Sequence, residues 1–147
     1  MKKLNFILLS LIFVVDSANA DNISSSELTG FIQATNSVDY LAKVKVIKVK
    51  VISQDDDLEK QVYFAEVLAT YKGELNQNIS YEMHVEPGED VIFNSTPVYI
   101  ALCKNSHGAY YWPGTGSEFR LSKEIDSWLA DNSKIISQSD SAADWCK

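Results

Sequence analysis

The side chains best suited to acid–base chemistry are three carboxylates in one short segment. Glu86, Glu89 and Asp90 surround Gly88, and a pair of carboxylates can hydrolyse a glycosidic bond when both flank it. The segment is rich in turn-forming residues, whereas catalytic carboxylates need a rigid supporting shell. Solvation of these side chains is therefore the favoured interpretation, and a hydrolase that uses loop carboxylates is the alternative function.

Metal-binding chemistry would depend on the two histidines, His84 and His107. Their spacing matches no metal-binding motif, and a shared site would require the fold to bring both to one carboxylate. The acidic run 55–57 lacks the glycine and the ligand spacing of a calcium loop, so it is predicted to be a charged hairpin tip. We expect no catalytic residue, no metal and no cofactor.

Aromatic side chains offer a different kind of site. Tyr110, Tyr111 and Trp112 are consecutive, and on a strand Tyr110 and Trp112 share one face while Tyr111 takes the other. Exposed Tyr and Trp side chains anchor protein or saccharide contacts. The three residues are a candidate binding surface, and packing against Trp145 or a C-terminal helix is the competing interpretation.

The N-terminus resembles a secretory signal peptide. Lys2 and Lys3 precede an apolar run over 4–15, and the sequence Ala-Asn-Ala over 18–20 is a cleavage site of the usual type. The run is too short for a membrane span, which needs about 20 residues, and too uniformly apolar for an amphipathic helix. We therefore assign 1–20 to a signal peptide, with no membrane anchor, and expect a periplasmic or secreted protein.

Charge narrows the choice of partners. The formal net charge is −7, and removal of residues 1–20 makes it −8. Nucleic acids and anionic membranes need a positively charged surface on the protein, so both are excluded as partners. The acidity favours solubility and, among proteins, a basic partner.

Cys103 and Cys146 are the only cysteines, and an even pair in a small exported domain indicates a disulfide. The bridge would close a loop of about 44 residues and stabilise the fold by roughly 4 kcal/mol. A reactive pair is the alternative, but the sequence has no Cys-x-x-Cys motif.

The segment 40–51 predicts a long first strand with a shift in its alternation. Ala42, Val44 and Val46 form one apolar set, and Val49 and Val51 continue it only if the phase slips by one at Val46-Ile47. Such a slip requires a bulge or a bend. The positions left facing solvent are then Lys43, Lys45, Lys48 and Lys50. These four lysines form a basic stripe, which is either a solvated face or a docking edge for an anionic partner.

The remaining pattern predicts four more strands and two helices. The strands are expected over 61–71, 78–85, 97–103 and 109–112, a short N-terminal helix over 25–34 and a C-terminal helix over 122–130 with Ser122 as its N-cap. The fold class is therefore mainly β, a five-stranded Greek-key barrel of the OB type, with a two-sheet sandwich as the competitor. Residues 21–37 form an N-terminal segment and 38–147 one domain.

Three segments resemble the netrin-like modules of the tissue-inhibitor-of-metalloproteinases superfamily and their bacterial relatives. They are Asp39-Tyr40 with the strand that follows, the Ala-Thr-Tyr-Lys-Gly sequence that ends at Gly73, and the strand that carries Tyr99. The resemblance covers roughly residues 38–130 and implies an OB barrel. It does not imply protease inhibition through a zinc-binding N-terminal cysteine, because no cysteine lies near Asp21. It implies a scaffold for binding other proteins or surfaces.

Together these features predict an exported, non-enzymatic, protein-binding module, an inhibitor or an accessory factor of the bacterial envelope. A structural or assembly subunit is a further alternative.

The leader generates the first test. Cleavage after Ala20 should give a protein that begins at Asp21, because signal peptidase cuts after a small-x-small sequence. N-terminal sequencing of protein recovered from the periplasm or the medium measures this directly. An intact Met1 on the recovered protein would contradict the prediction.

Overall fold

A computed structural model describes residues 18–54, 58–91, 93–139 and 145–146. Most of the predicted signal peptide (1–17) and the acidic run 55–57 lie outside these residues. The described elements are α1 (Ala18–Ser37), β1 (Tyr40–Gln54), β2 (Glu59–Lys72), β3 (Asn78–Val85), β4 (Val98–Lys104), β5 (Tyr110–Tyr111), β6 (Glu118–Arg120) and α2 (Lys123–Gln138).

The strands form one hydrogen-bonded sheet that closes on itself, rather than the two sheets of a sandwich. Its order is β1-β2-β3-β5-β4-β6, and β1 also pairs with β4. The five strands β1, β2, β3, β5 and β4 therefore make a closed ring. All neighbours in the ring are antiparallel except β3 and β5, which are parallel. The mainly β fold class is confirmed.

The bulge predicted in β1 is confirmed. Val46 pairs with Ala65 and Lys48 pairs with Phe64, so Ile47 has no partner on β2. The extra residue restores the alternation: Val46 is buried inside the ring, Val49 packs against the same cluster, and the lysines stay on the outer side. A straight strand would instead have turned Lys48 and Lys50 inward, at the cost of burying a charge.

One residue of this prediction is wrong. Val51 was expected in the core, but its side chain is 49% exposed. The reason is that β1 pairs with β4 only from Tyr40 to Val44. Beyond Val46 the β1–β2 hairpin continues past the start of β4, so the inward side of the hairpin lacks an opposing strand.

Strand β4 is buried on both faces, as its uniformly apolar sequence predicts. Val98, Ile100 and Leu102 belong to the cluster inside the ring. Tyr99, Ala101 and Cys103 belong to a second cluster, which lies between the sheet and the two helices. One face of β4 is therefore buried inside the ring, and the opposite face is buried under the helices.

The helices cover the outer face of the ring, and their apolar side chains pack around one aromatic residue, Phe31. Phe31 of α1 is fully buried and makes edge-to-face contacts with Tyr99, Phe119 and Trp128. Helix α2 adds Ile125, Leu129 and Ile136 to the same cluster. The hydroxyl of Tyr99 donates a hydrogen bond to the carboxylate of Asp126, which fixes α2 over β4.

The end of β2 shows why a Tyr-Lys-Gly sequence occurs there. Tyr71 packs against the outer cluster, and the buried Lys72 donates a hydrogen bond from Nζ to the carbonyl of Thr35 at 3.1 Å. That carbonyl lies in the last turn of α1, where the helix dipole favours a cation. Gly73 has φ of +89°, and a Cβ there would lie 2.8 Å from the Tyr40 ring. Only glycine fits this position.

The disulfide predicted from the cysteine count is confirmed. Cys103 and Cys146 are bonded, with their Cα atoms 5.1 Å apart. The bridge attaches the C-terminal tail to the outer face of β4 and places Trp145 against the cluster beneath the helices. Trp145 and Cys146 are therefore packed against the core.

Both helices are longer than predicted, and one strand was missed. Helix α1 runs from Ala18 to Ser37 rather than over 25–34, and at its C-terminal end Thr35 and Val38 are also buried. Helix α2 begins after Ser122, whose hydroxyl accepts from the Ile125 amide, but it continues to Gln138 because Ile136 extends its apolar stripe. Strand β6 was missed, since three residues give too short an alternation to recognise.

Two substitutions on β1 test where the β1–β2 hairpin diverges from β4. Val44→Asp should lower the free energy of unfolding by about 3 kcal/mol or more, because it buries an unpaired carboxylate inside the ring. Val51→Asp should cost less than about 1 kcal/mol, because that side chain is half exposed. Urea denaturation monitored by tryptophan fluorescence measures both. Equal losses in the two variants would show that the hairpin does not diverge from β4.

Candidate functional site

A cavity of about 710 Å³ opens where the β1–β2 hairpin passes the start of β4. Its apolar wall comes from residues inside the ring and from Leu58, which precedes β2. These apolar side chains are Val46, Leu58, Met83, Val85, Val98 and Trp112. A volume of this size and an apolar lining are typical of ligand-binding pockets.

The polar part of the cavity comes from three strands and two loops. The polar lining residues are Tyr63, His84, Glu86, Glu89, Asn94, Thr115 and Glu118. Three of the seven are glutamates, and none of the described lining residues is a lysine or an arginine. The cavity therefore combines an apolar wall with an acidic rim.

The ring of Tyr63 is held in place by buried hydrogen bonds. Its hydroxyl donates to Oε1 of Gln61 at 3.0 Å, and Nε2 of Gln61 donates to Oε1 of Glu59 at 2.8 Å. Tyr63 also stacks on Tyr81, with the ring centroids 5.2 Å apart. An aromatic surface fixed in this way is preorganised, which lowers the entropic cost of binding.

Two carboxylates act on these phenols. The pKa of Tyr63 is raised by burial and by the negative charges of Glu118 and Glu89. The pKa of Tyr81 is raised by burial and then by Glu118 and Tyr63. Both carboxylates line the same cavity as Tyr63.

Glu118 itself is perturbed. It remains accessible to solvent, but the protein atoms around its carboxyl raise its pKa above the ordinary value. Burial raises an acid's pKa because it disfavours the charged form. A cationic group placed beside Glu118 would relieve this penalty.

The predicted aromatic surface divides between the two faces of the ring. Tyr110 and Trp112 pack against the inner cluster, and Tyr111 packs against the outer cluster with Trp145. All three are partly buried. Trp112 alone lines the cavity, and its indole Nε1 is buried without a hydrogen-bond partner among the described residues.

The predicted basic stripe lies elsewhere, on the outer side of β1. Lys45 and Lys48 are exposed, and Lys50 is placed over the ring of Phe64 at 5.5 Å. Lys43 was expected in solvent, but it is half buried and its Nζ lies 5.7 Å from the centre of the Tyr99 ring. The lysines therefore do not contribute to the cavity.

The histidines are not brought together. His84 lines the cavity, whereas His107 lies in the β4–β5 turn, where its amide donates to Oδ1 of Asn105. The cluster of metal-ligand types found within the described residues is Asp39 with Cys103 and Cys146, whose sulfurs are already bonded to each other. Among the loop carboxylates, Glu86 and Glu89 line the cavity and Asp90 does not.

Sequence reasoning missed Glu118, a carboxylate that lines the cavity and whose pKa is raised by burial. It lies on β6, and the only signal for that strand was the alternation of Glu118 and Arg120 about the apolar Phe119. Thr115 and Gly116, in the loop between β5 and β6, also line the cavity.

No protein-family model matches the sequence, and no curated protein matches it significantly. Among the described helices, neither is long and apolar enough to cross a membrane.

The raised pKa of Glu118 predicts a pH-dependent stability. The folded protein binds a proton at Glu118 more readily than the unfolded chain, so this residue's contribution to stability falls as pH rises from the ordinary glutamate pKa through the raised one. Glu118→Gln should remove that fall and make the variant more stable than the wild type at neutral pH but not at acidic pH. Thermal denaturation from pH 4 to pH 8 checks this. A constant difference between the two proteins across the range would contradict it.

Proposed function

We propose that the chain is an exported, non-enzymatic, protein-binding module that presents the cavity to its partner. The observation that carries the proposal is the cavity itself, which joins an apolar wall to an acidic rim at one end of the ring. It acts in the periplasm or after secretion, as an inhibitor or an accessory factor of the bacterial envelope.

The scaffold we propose is a Greek-key barrel of the OB type. Two features support it: the ring order β1-β2-β3-β5-β4 with closure onto β1, and the parallel pairing of β3 with β5. Residues 41–44 of β1 pair with β2 on one side and with β4 on the other, which closes the ring, and the bulge at Ile47 lies beyond the pairing with β4.

We also propose membership of the netrin-like superfamily, on the roles of two short motifs. Asp39 accepts a hydrogen bond from the amide of Lys104 at 2.9 Å, which secures the end of β4 beside the start of β1. At the other motif, Lys72 and Gly73 join the end of β2 to α1 and Tyr40. Export is supported by the disulfide, since such bonds persist in oxidising compartments.

A protein partner is supported by apolar side chains beside the cavity. Leu58 lines it and is 48% exposed. Val91 and Phe93 are also exposed, and they lie in the loop between two lining residues, Glu89 and Asn94. Exposed apolar groups that continue from a cavity are typical of protein-binding surfaces.

A second candidate function is a hydrolase, because the same cavity holds Glu86, Glu89 and Glu118. A carboxyl with a raised pKa near ionised carboxylates is the arrangement that glycoside hydrolases use. Against this, Glu86 and Glu89 lie in a loop outside the strands.

Two leucine substitutions test the binding function. Leu58→Ser should weaken the partner's affinity by about tenfold or more, because it removes an apolar contact worth roughly 1.5–3 kcal/mol. Leu75→Ser is the matched control, since Leu75 is 88% exposed and does not line the cavity. The partner is captured from envelope extract by cross-linking to the exported protein, purified, and measured by calorimetry.

Equal affinity of the wild type and both variants would refute the proposed site. Cleavage of envelope polysaccharide by the wild type, with loss of cleavage in Glu118→Gln, would establish the hydrolase instead.

A further inference from the structure

We propose that the cavity binds an arginine side chain from a basic segment of the partner protein. This inference rests on the proposed binding function and names the group that the partner inserts. It follows from the chemistry of the cavity wall: two fixed aromatic surfaces, an apolar lining, and glutamates without an opposing basic residue among the described lining residues.

Glu118 lies on β6 and Glu89 lies in the loop that follows β3, and both line the same cavity as Tyr63. A cation bound in the cavity beside Tyr63 would therefore interact with both carboxylates. The overall charge of −7 also attracts basic proteins to the surface and disfavours acidic ones.

The basic side chains nearest in sequence to the cavity residues do not occupy the cavity. Lys60 forms an ion pair with Glu82 at 2.6 Å and does not line the cavity. Arg120 shares a face of β6 with Glu118, but it is exposed and also does not line the cavity. A ligand cation would thus meet carboxylates that no described lysine or arginine within the cavity neutralises.

The cavity suits an arginine side chain better than a lysine side chain. A guanidinium is planar and weakly hydrated, so it stacks on aromatic faces and binds a carboxylate through two parallel hydrogen bonds. Its aliphatic stem can cover Val46 and Met83, while its charged end reaches the rim. An ammonium keeps its hydration shell more strongly and gains less from Tyr63 and Trp112.

The size of the cavity indicates a ligand larger than one side chain. A cavity of about 710 Å³ exceeds a single side chain, so neighbouring residues of the partner must enter as well. The exposed Leu58 and Phe93 provide apolar contacts for them. The ligand class is therefore an arginine flanked by apolar residues, in an exposed segment of a protein.

Two capped pentapeptides provide the test: Ala-Leu-Arg-Leu-Ala and the same peptide with citrulline, which keeps the shape of arginine but is neutral. They are titrated into the exported protein, and NMR follows the indole of Trp112 and the methyl group of Met83. The arginine peptide should bind at least about tenfold more tightly than the citrulline peptide, because its hydrogen bonds to carboxylates are charge-assisted.

Two variants with the same change of charge locate the interaction. Glu118→Gln should remove most of the preference for arginine. Glu66→Gln should leave the preference within about twofold of the wild type, because Glu66 is exposed on the outer side of β2, where solvent screens its charge. Circular dichroism of both variants verifies that they are folded.

Equal binding of the two peptides, or equal effects of the two variants, would overturn the proposal. Failure of both peptides to bind, while Leu58→Ser still weakens the native partner, would refute the arginine ligand and leave the binding function standing. Binding of the arginine peptide without any effect of Leu58→Ser on the partner would instead refute the proposed function.

Discussion

The burial of β4 on both faces is the constraint on which the rest of the structure depends. Six consecutive residues, 98–103, must be covered on two sides, and neither the ring nor the helices alone can do this. The ring covers Val98, Ile100 and Leu102, and the helices cover Tyr99, Ala101 and Cys103. A domain of this size has little stability to spare, so loss of either layer would expose apolar area that the other cannot cover.

The position of the cavity follows from how far β1 pairs with β4. Strand β1 pairs with β4 only from Tyr40 to Val44, and the bulge at Ile47 lies beyond that pairing. The inner cluster consequently has no strand across it at that end, and the loop after β3 provides the remaining wall. Val46, Tyr63 and Val98, although almost fully buried, therefore line the open end of the ring.

Much of this fold could be predicted from patterns that reflect burial directly. The phase slip in β1, the apolar run of β4 and the N-cap at Ser122 each correspond to a local physical requirement. The exposure of Val51 could not be predicted, because it depends on where a distant strand begins. Glu118 was missed for a similar reason: its environment is created by Tyr63, Tyr81 and the loop after β3, which approach it only in the folded chain. The loop carboxylates were recognised, but their position on a cavity depends on ring closure rather than on spacing.

The disulfide has a consequence for the order in which the protein matures. Cys146 is the penultimate residue of the chain, while Cys103 lies in the strand that closes the ring. The bond cannot form until the chain has been made as far as Cys146, and by then every strand of the ring is available for pairing. Because β1 pairs with β4 across some 60 residues of sequence, ring closure is a long-range step and is slow relative to helix formation. Oxidation joins Cys146 to a strand whose place in the sheet depends on that long-range step, and it holds Trp145 against the outer cluster.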